Sequence, residues 1–295
     1  MQRESIFVVG MWGLGDNCYS RPFICAAANK FDLWLETPWP ELYADLDIKF
    51  VRGARRLRTQ LKNIERQSPD RWSRPPKMVR QIWIKYSNLA QWSIIASMER
   101  QWRAFGVVFD PGLFDLPDLG SSPITSERPI AVIRPVTVRR EWRNEARNPR
   151  PEYIVKLATS LMDTHHVVAV ADLQPGEEWL IGPSVPAREL FLTGQLTVRQ
   201  LLALVRDADI VIGGVGWIVP AGIALKTKTF VVLGGMGGHN APDKITDPRL
   251  DLSRLGFAVP DNFCQCMSMS HNCDKAMADP LGQFSRWQAN LPAAA

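Results

Sequence analysis

The chain lacks several things that would place it quickly. No apolar run approaches the ~20 residues needed to cross a bilayer. The start, Met1-Gln2-Arg3-Glu4-Ser5, has neither the long apolar stretch nor the small-residue cleavage site of a signal peptide. Cysteine is scarce and odd in number, with five residues at Cys18, Cys25, Cys264, Cys266 and Cys273. That count argues against a disulfide framework, so a cytoplasmic setting is the expectation. There is no Ser-His-Asp signature, no P-loop consensus and no paired zinc motif. Cys264-x-Cys266, with Cys273 and His271 following, is tighter than usual zinc-ligand spacing. Ordinary buried or loop cysteines are therefore expected, with no metal and no cofactor.

What is present suits two α/β domains. At roughly 100–200 residues per domain, 295 residues make two, and a hydrophobic content of 46% fills ordinary cores. Residues 5–11 (SIFVVGM) form a short apolar run ending at a glycine turn, as buried parallel strands do. A helix over 21–30 and strands over 31–36 and 48–51 complete a βαβ unit. The pattern then predicts a helix over 78–103 and a strand over 106–109. Residues 110–129, rich in Pro, Gly, Asp and Ser, read as a linker. A second cycle follows: strands over 129–134, 166–171, 189–193, 209–212 and 229–233, and helices over 152–162, 197–208 and 217–225. The expected architecture is two Rossmann-like domains facing a central cleft, 1–120 and 121–295, with the last helix returning to the N-terminal domain.

Chemistry is expected where strands end, because ligands bind there in such sheets. Gly213-Gly214-Val215-Gly216 lies between a strand and a helix, where free N–H groups suit phosphate; equally, a tight turn can need glycine for its backbone alone. Gly234-Gly235 ends the next strand. Arg134, Thr137 and Arg139 leave another strand end, followed by Arg143, Arg147 and Arg150; arginine forks suit a diphosphate, or these are surface charges. Asp16, after Gly13-Leu14-Gly15, is either a helix cap or a general base. His165 and His166 open a strand and read as structural. The net charge of +5 is uneven: residues 52–103 hold thirteen Lys or Arg and three Asp or Glu. Such a stretch is a solvated helical surface or the contact for an anionic partner.

These patterns resemble family 9 glycosyltransferases, the ADP-heptose heptosyltransferase group. Gly15-Asp16 and the following FDLWLETPWPELYADL resemble the family's N-terminal domain. Arg134-Pro135-Val136-Thr137, residues 147–153, the Thr193 turn and residues 209–233 resemble its C-terminal domain. The resemblance implies the GT-B fold and transfer of a sugar from a nucleotide-sugar co-substrate, without metal. Asp16 maps onto the family's base, with Gly15 and Asn17 beside it on the acceptor side. Arg134, Thr137, Arg139, Arg147, Thr193, Gly213, Gly214, Gly216, Gly234 and Gly235 would hold the donor. One departure stands out: Gly213–Pro220 (GGVGWIVP) lacks the family's acid and histidine. The donor is thus open, and a non-catalytic nucleotide- or nucleic-acid-binding protein on the same scaffold is the alternative. For the acceptor, the basic stretch with Arg55, Arg56 and Arg58 points to a polyanion. Trp72, Trp83, Tyr86, Trp92 and Trp102 offer faces on which bases stack, which favours DNA, as in phage enzymes that glycosylate hydroxymethylated bases, over lipopolysaccharide. Trp83 and Trp92, at helical spacing, are themselves expected in the core.

Overall fold

A computed structural model describes residues 3–53 and 57–292. The chain divides into two compact units, Met1–Leu119 and Gly120–Ala295.

The first unit is built on a four-stranded parallel sheet. Its elements are β1 (Ser5–Val9), α1 (Leu14–Ala28), β2 (Asp32–Glu36), β3 (Lys49–Val51), α2 (Arg58–Glu65), β4 (Arg80–Trp83) and α3 (Ile94–Trp102). The sheet order is β3-β2-β1-β4. Ile6, Val8, Leu33 and Leu35 bury the sheet's apolar side chains, and Phe23, Ile24, Ile95, Met98 and Trp102 add those of the helices. Phe23 and Trp102 stack at 6.5 Å between ring centroids and tie α1 to α3.

Three expectations change here. Helix α1 begins at Leu14, seven residues before the expected start, and Pro22 lies inside it. The helix expected over 78–103 is divided into β4, an irregular stretch and α3. The reason is period: Ile82 and Ile84 are buried while Gln81, Trp83 and Lys85 are exposed, which is strand alternation. In consequence Trp83 is 64% exposed and Trp92 lies on the surface, so neither is in the core, whereas Trp102 is fully buried. Residues 106–109 are not a strand. Gly106, at φ +62°, turns the chain after α3, and the Phe109 N–H donates to the Glu99 carboxylate at 3.0 Å instead of to a ladder.

The second unit comprises β5 (Ile130–Ile133), β6 (Thr137–Arg139), α4 (Pro151–Leu161), β7 (His166–Val170), β8 (Glu178–Leu180), β9 (Glu189–Phe191), α5 (Val198–Asp207), β10 (Ile210–Gly214), α6 (Ile218–Ala224), β11 (Lys228–Val232), α7 (Gly237–Asn240), α8 (Pro242–Ile245), β12 (Leu255–Ala258) and α9 (Pro280–Ala289). Its six-stranded parallel sheet runs β12-β11-β10-β5-β7-β9. Renumbered by appearance within the sheet, that is the 3-2-1-4-5-6 order of a dinucleotide-binding fold. The order reverses between β5 and β10, and in folds of this kind ligands bind in the crevice at such a reversal. Helix α5 starts as expected: the Thr197 hydroxyl accepts from the Gln200 N–H at 3.2 Å, and the Gln200 side chain accepts from the Thr197 N–H. The antiparallel pair β6–β8 and strand β12 have no counterpart in the sequence pattern. Helix α9 packs within its own unit, where Phe284 and Trp287 meet Phe230 of β11 at 5.0 and 5.1 Å.

Candidate base and donor sites

In the first unit the candidate base sits where β1 gives way to α1. Asp16 is in the first turn of α1, half-buried. The Gly13 N–H donates to its Oδ2 at 3.1 Å. The Tyr86 hydroxyl donates to Oδ1. The first contact satisfies an orphan donor of the helix N-terminus, as a cap does. The second comes from a residue 70 positions away and has no capping purpose. Both donors suit the carboxylate, the form that accepts a proton. Tyr86, expected as a base-stacking platform, is therefore an Asp16 partner; no motif marks it.

Asn17 departs from its expected acceptor role. Its side chain is buried, and it donates to Met11 O at 2.7 Å and Gly13 O at 2.9 Å. Its Oδ1 accepts from the Thr37 hydroxyl at 2.7 Å and the Tyr43 hydroxyl at 3.2 Å. Such a saturated amide locks the β1–α1 turn and offers nothing to a substrate. Gly15 lies within α1, half-buried. Cys18, two residues after Asp16, is no rival nucleophile: burial pushes its thiol up to about 12. Arg58 opens α2, while Arg55 and Arg56 lie outside the described residues.

In the second unit most of the expected donor residues converge on the β5–β10 crevice. Gly213 and Gly214 are the last residues of β10, paired with Val231 and Val232, so their amides belong to the sheet. None of Gly213, Gly214 and Gly216 has positive φ. Close approach is what requires the first two: a Cβ at Gly213 would meet Arg134 Cβ at 2.8 Å, and one at Gly214 would meet Pro149 Cδ at 3.1 Å. Gly216 differs, for a Cβ there would meet nothing within 4 Å. Open space thus begins at residues 215–217, just before α6. At the end of β11, a Cβ on Gly234 would lie 2.2 Å from Asn148 O and 2.5 Å from Arg147 O. The Arg147–Pro149 segment is thereby pressed against both glycine turns. Thr193 stands apart, beyond β9 at the sheet edge, roughly 10 Å from β5 at the ~4.8 Å strand spacing.

The arginines after β5 are organised by Glu178, which no motif marks. Its side chain is fully buried. Arg134 Nη2 lies 3.1 Å from Oε1, and Arg139 Nε lies 2.9 Å from Oε2. The Thr137 hydroxyl also donates to Oε1, at 2.8 Å. Burial pushes the Arg134 guanidinium down from its ordinary value against the upward pull of Glu178; a guanidinium stays charged regardless. One carboxylate between two guanidiniums leaves this triad with one cation in excess, and the Asp172 carboxylate also acts on Arg134. The Thr137 hydroxyl and part of each fork are thus engaged with Glu178. Elsewhere, Cys264, Cys266, His271 and Cys273 bring their ligating atoms within 4.8 Å of one another.

No protein-family model and no curated protein sequence matches the chain. Solved structures do resemble it. An iron-containing dodecameric glycosyltransferase, TibC from enterotoxigenic E. coli H10407, superposes with a TM-score of 0.56 at 14% identity, over 93% of this chain. The chain spans 65% of that protein's length. A TibC complex with ADP-D-β-D-heptose superposes at 0.58 and 14% identity, over 99% of this chain and 78% of the other. The ADP-heptose lipopolysaccharide heptosyltransferase II of E. coli superposes at 0.54 and 13% identity, over 97% and 98%. The fold is that of the GT-B glycosyltransferases, as the residue patterns led us to expect.

Proposed function

We propose that the protein transfers a sugar from a nucleotide-sugar donor to a hydroxyl group of a polyanionic acceptor. The observation that carries this reading is the β5–β10 crevice, where Arg134, one of two guanidiniums on Glu178, adjoins the turn after β10 that is open at Gly216. An anionic leaving group fits there, and its charge grows as the sugar departs. The donors of the solved relatives, ADP-heptose among them, are of this class. The missing acid and histidine at Gly213–Pro220 leave the sugar open.

In this reading Asp16 takes the proton of the acceptor hydroxyl. The freed oxygen attacks the anomeric carbon, the bond from that carbon to the diphosphate oxygen breaks, and the nucleoside diphosphate leaves. Arg134 and Arg139 stabilise the leaving charge, and Glu178 sets their positions. No step requires a metal. Asp16→Asn is expected to lower turnover by about 10²–10⁴-fold, the usual contribution of a general base. Its melting temperature should change little, since the asparagine oxygen can accept the Gly13 N–H and its NH2 can donate to the Tyr86 oxygen. Full activity in that variant removes Asp16 from the mechanism.

A DNA acceptor gains nothing from the solved relatives, one of which carries lipopolysaccharide in its name. The acceptor is therefore proposed only as a polyanion. A non-catalytic nucleotide-binding protein is the outcome if donors bind and none is turned over.

A further inference from the structure

Between β12 and α9 the chain runs from 259 to 279 without a regular element, yet it is held in one place. Its middle part is anchored in a satellite core of Ala146, Met236, Cys264, Cys266 and Cys273, separate from the sheet core. Three of these five side chains are thiols. The segment's end is held separately, by Met277 in the sheet core, whose N–H donates to the Tyr153 hydroxyl at 2.9 Å.

The donor atoms of Cys264, Cys266, His271 and Cys273 have a definite geometry. Cys266 Sγ and Cys273 Sγ are 3.5 Å apart. His271 Nδ1 lies 3.3 Å from Cys273 Sγ and 3.5 Å from Cys264 Sγ. A disulfide needs about 2.05 Å between sulfurs, far less than the distance found. With metal–sulfur bonds of about 2.3 Å and metal–nitrogen bonds of about 2.0–2.1 Å, a tetrahedral site has edges of roughly 3.8 Å (S···S) and 3.6 Å (S···N). The observed spacings fall within a few tenths of an ångström of those edges. All four atoms lie within 4.8 Å of one another, so the widest pair needs to close by at most about 1 Å to reach a tetrahedral edge.

The surroundings agree. The Gly237 N–H donates to Cys264 O at 2.7 Å, and the Gly238 N–H donates to Cys266 O at 3.1 Å. Met236, at φ +58°, holds a left-handed backbone unusual for its side chain. A Cβ on Gly235 would lie 2.4 Å from Cys273 Sγ, and one on Gly238 would lie 3.0 Å from Gln265 O. The 234–238 turn is thus shaped around the thiol cluster, with glycine where the two backbones touch.

From this geometry we propose that Cys264, Cys266, His271 and Cys273 form a structural site for one thiophilic divalent metal ion, zinc being the ion this S₃N set suits best. Tetrahedral sulfur-rich sets select zinc or iron over hard cations. All four positions are filled by protein, the hallmark of a structural rather than a catalytic site. The ion fastens the 259–279 strap onto the turn that follows β11. The unusual Cys-x-Cys spacing is no obstacle, because the loop over 267–270 brings the third and fourth ligands back to the first two.

The test reads metal and thiols without any sugar substrate, so it is independent of the proposed transferase activity. The full chain, purified under reducing conditions without added metal, is expected to carry about one zinc or iron ion per chain by elemental analysis, as a closed site does. The double variant Cys266→Ser/Cys273→Ser should lose at least about nine-tenths of that content, while His271→Cys, which supplies a fourth thiolate, should retain it. Should the double variant fail to fold, cobalt exchanged into the natural protein gives the same answer: thiolate charge-transfer and tetrahedral visible bands are expected. Thiol labelling of the native protein should be slow and should rise by three thiols per chain on chelation, because Cys18 and Cys25 are buried. Metal-free protein with three freely labelled thiols and no cobalt spectrum overturns the site. So does a metal-free protein with a Cys266–Cys273 disulfide.

Discussion

Glu178 shows how one buried side chain governs a binding region. It accepts from Arg134, Arg139 and Thr137, so its removal strands two guanidiniums. Glu178→Gln is expected to cost about 3–5 kcal/mol, as for other broken buried ion pairs; a melting temperature equal to that of the parent protein refutes its organising role. Asp45 offers a pH-dependent counterpart. Partial burial pushes its carboxyl up, but the Arg21 fork, bonded to both oxygens at 2.9 and 2.6 Å, outweighs this and holds it below its ordinary value. A carboxyl lowered in the folded state contributes stability above its unfolded value of about 4, and that contribution is lost as pH falls through the folded value. Asp45→Asn should therefore destabilise the protein near pH 7, by about 2 kcal/mol because Asp45 is partly solvated. The difference from the parent should close as the medium is acidified below about pH 4. A stability gap independent of pH contradicts the ion-pair account. At this scale the places of Asp16 after β1 and Arg134 after β5 were legible in the sequence, because apolar runs mark the strands that end there. Glu178 and Tyr86 were not, since each is brought in by a long-range pairing, β6 with β8 and β4 with β1, that leaves no local pattern.

At the level of elements, strands with continuous apolar runs were readable: β1, β5, β7, β10 and β11 lie within a few residues of their expected places. Buried parallel strands announce themselves by composition. The basic segment misled because its aromatic residues fall at helical intervals by coincidence; only the burial of Ile82 and Ile84 reveals the period of two. Likewise β6, β8 and β12 span three or four residues each, too few for a period to show. The glycine turns yield a paired expectation. Gly234→Ala places a methyl 2.2 Å from a backbone oxygen, so the β11 turn or the Arg147–Pro149 segment must shift, and stability should fall by about 1–3 kcal/mol. Gly216→Ala enters open space and should melt within about 0.5 kcal/mol of the parent, apart from the small backbone effect of replacing glycine. It should instead weaken donor binding, if the diphosphate sits where the turn is open. Equal melting temperatures for the two variants contradict the close-approach reading, and calorimetry decides it.

For the whole molecule, the strand order 3-2-1-4-5-6 in the second unit is the feature that turns a list of basic residues and glycines into one crevice. The double α/β pattern was legible in the sequence; the switch point required the sheet. No helix among the described residues is long and apolar enough to cross a membrane. Charge is unevenly distributed along the chain: residues 52–103 carry a net +10 and the remainder a net −5. If that surface binds nucleic acid, affinity for duplex DNA should fall steeply with salt, with a logarithmic slope near −0.9 per phosphate neutralised. Charge reversal at Arg55, Arg56 and Arg58 should flatten it. Salt-independent binding, or none at low salt, leaves a saccharide polyanion as the acceptor. The central claim is nucleotide-sugar turnover, and its most direct measurement is release of nucleoside diphosphate from a panel of nucleotide sugars, ADP-heptose included, by the parent protein and by Asp16→Asn. The account predicts that at least one donor releases its diphosphate, faster with an acceptor present, and that Asp16→Asn loses about 10²-fold or more of the acceptor-dependent rate. Release from no donor, or an undiminished rate in Asp16→Asn, contradicts it.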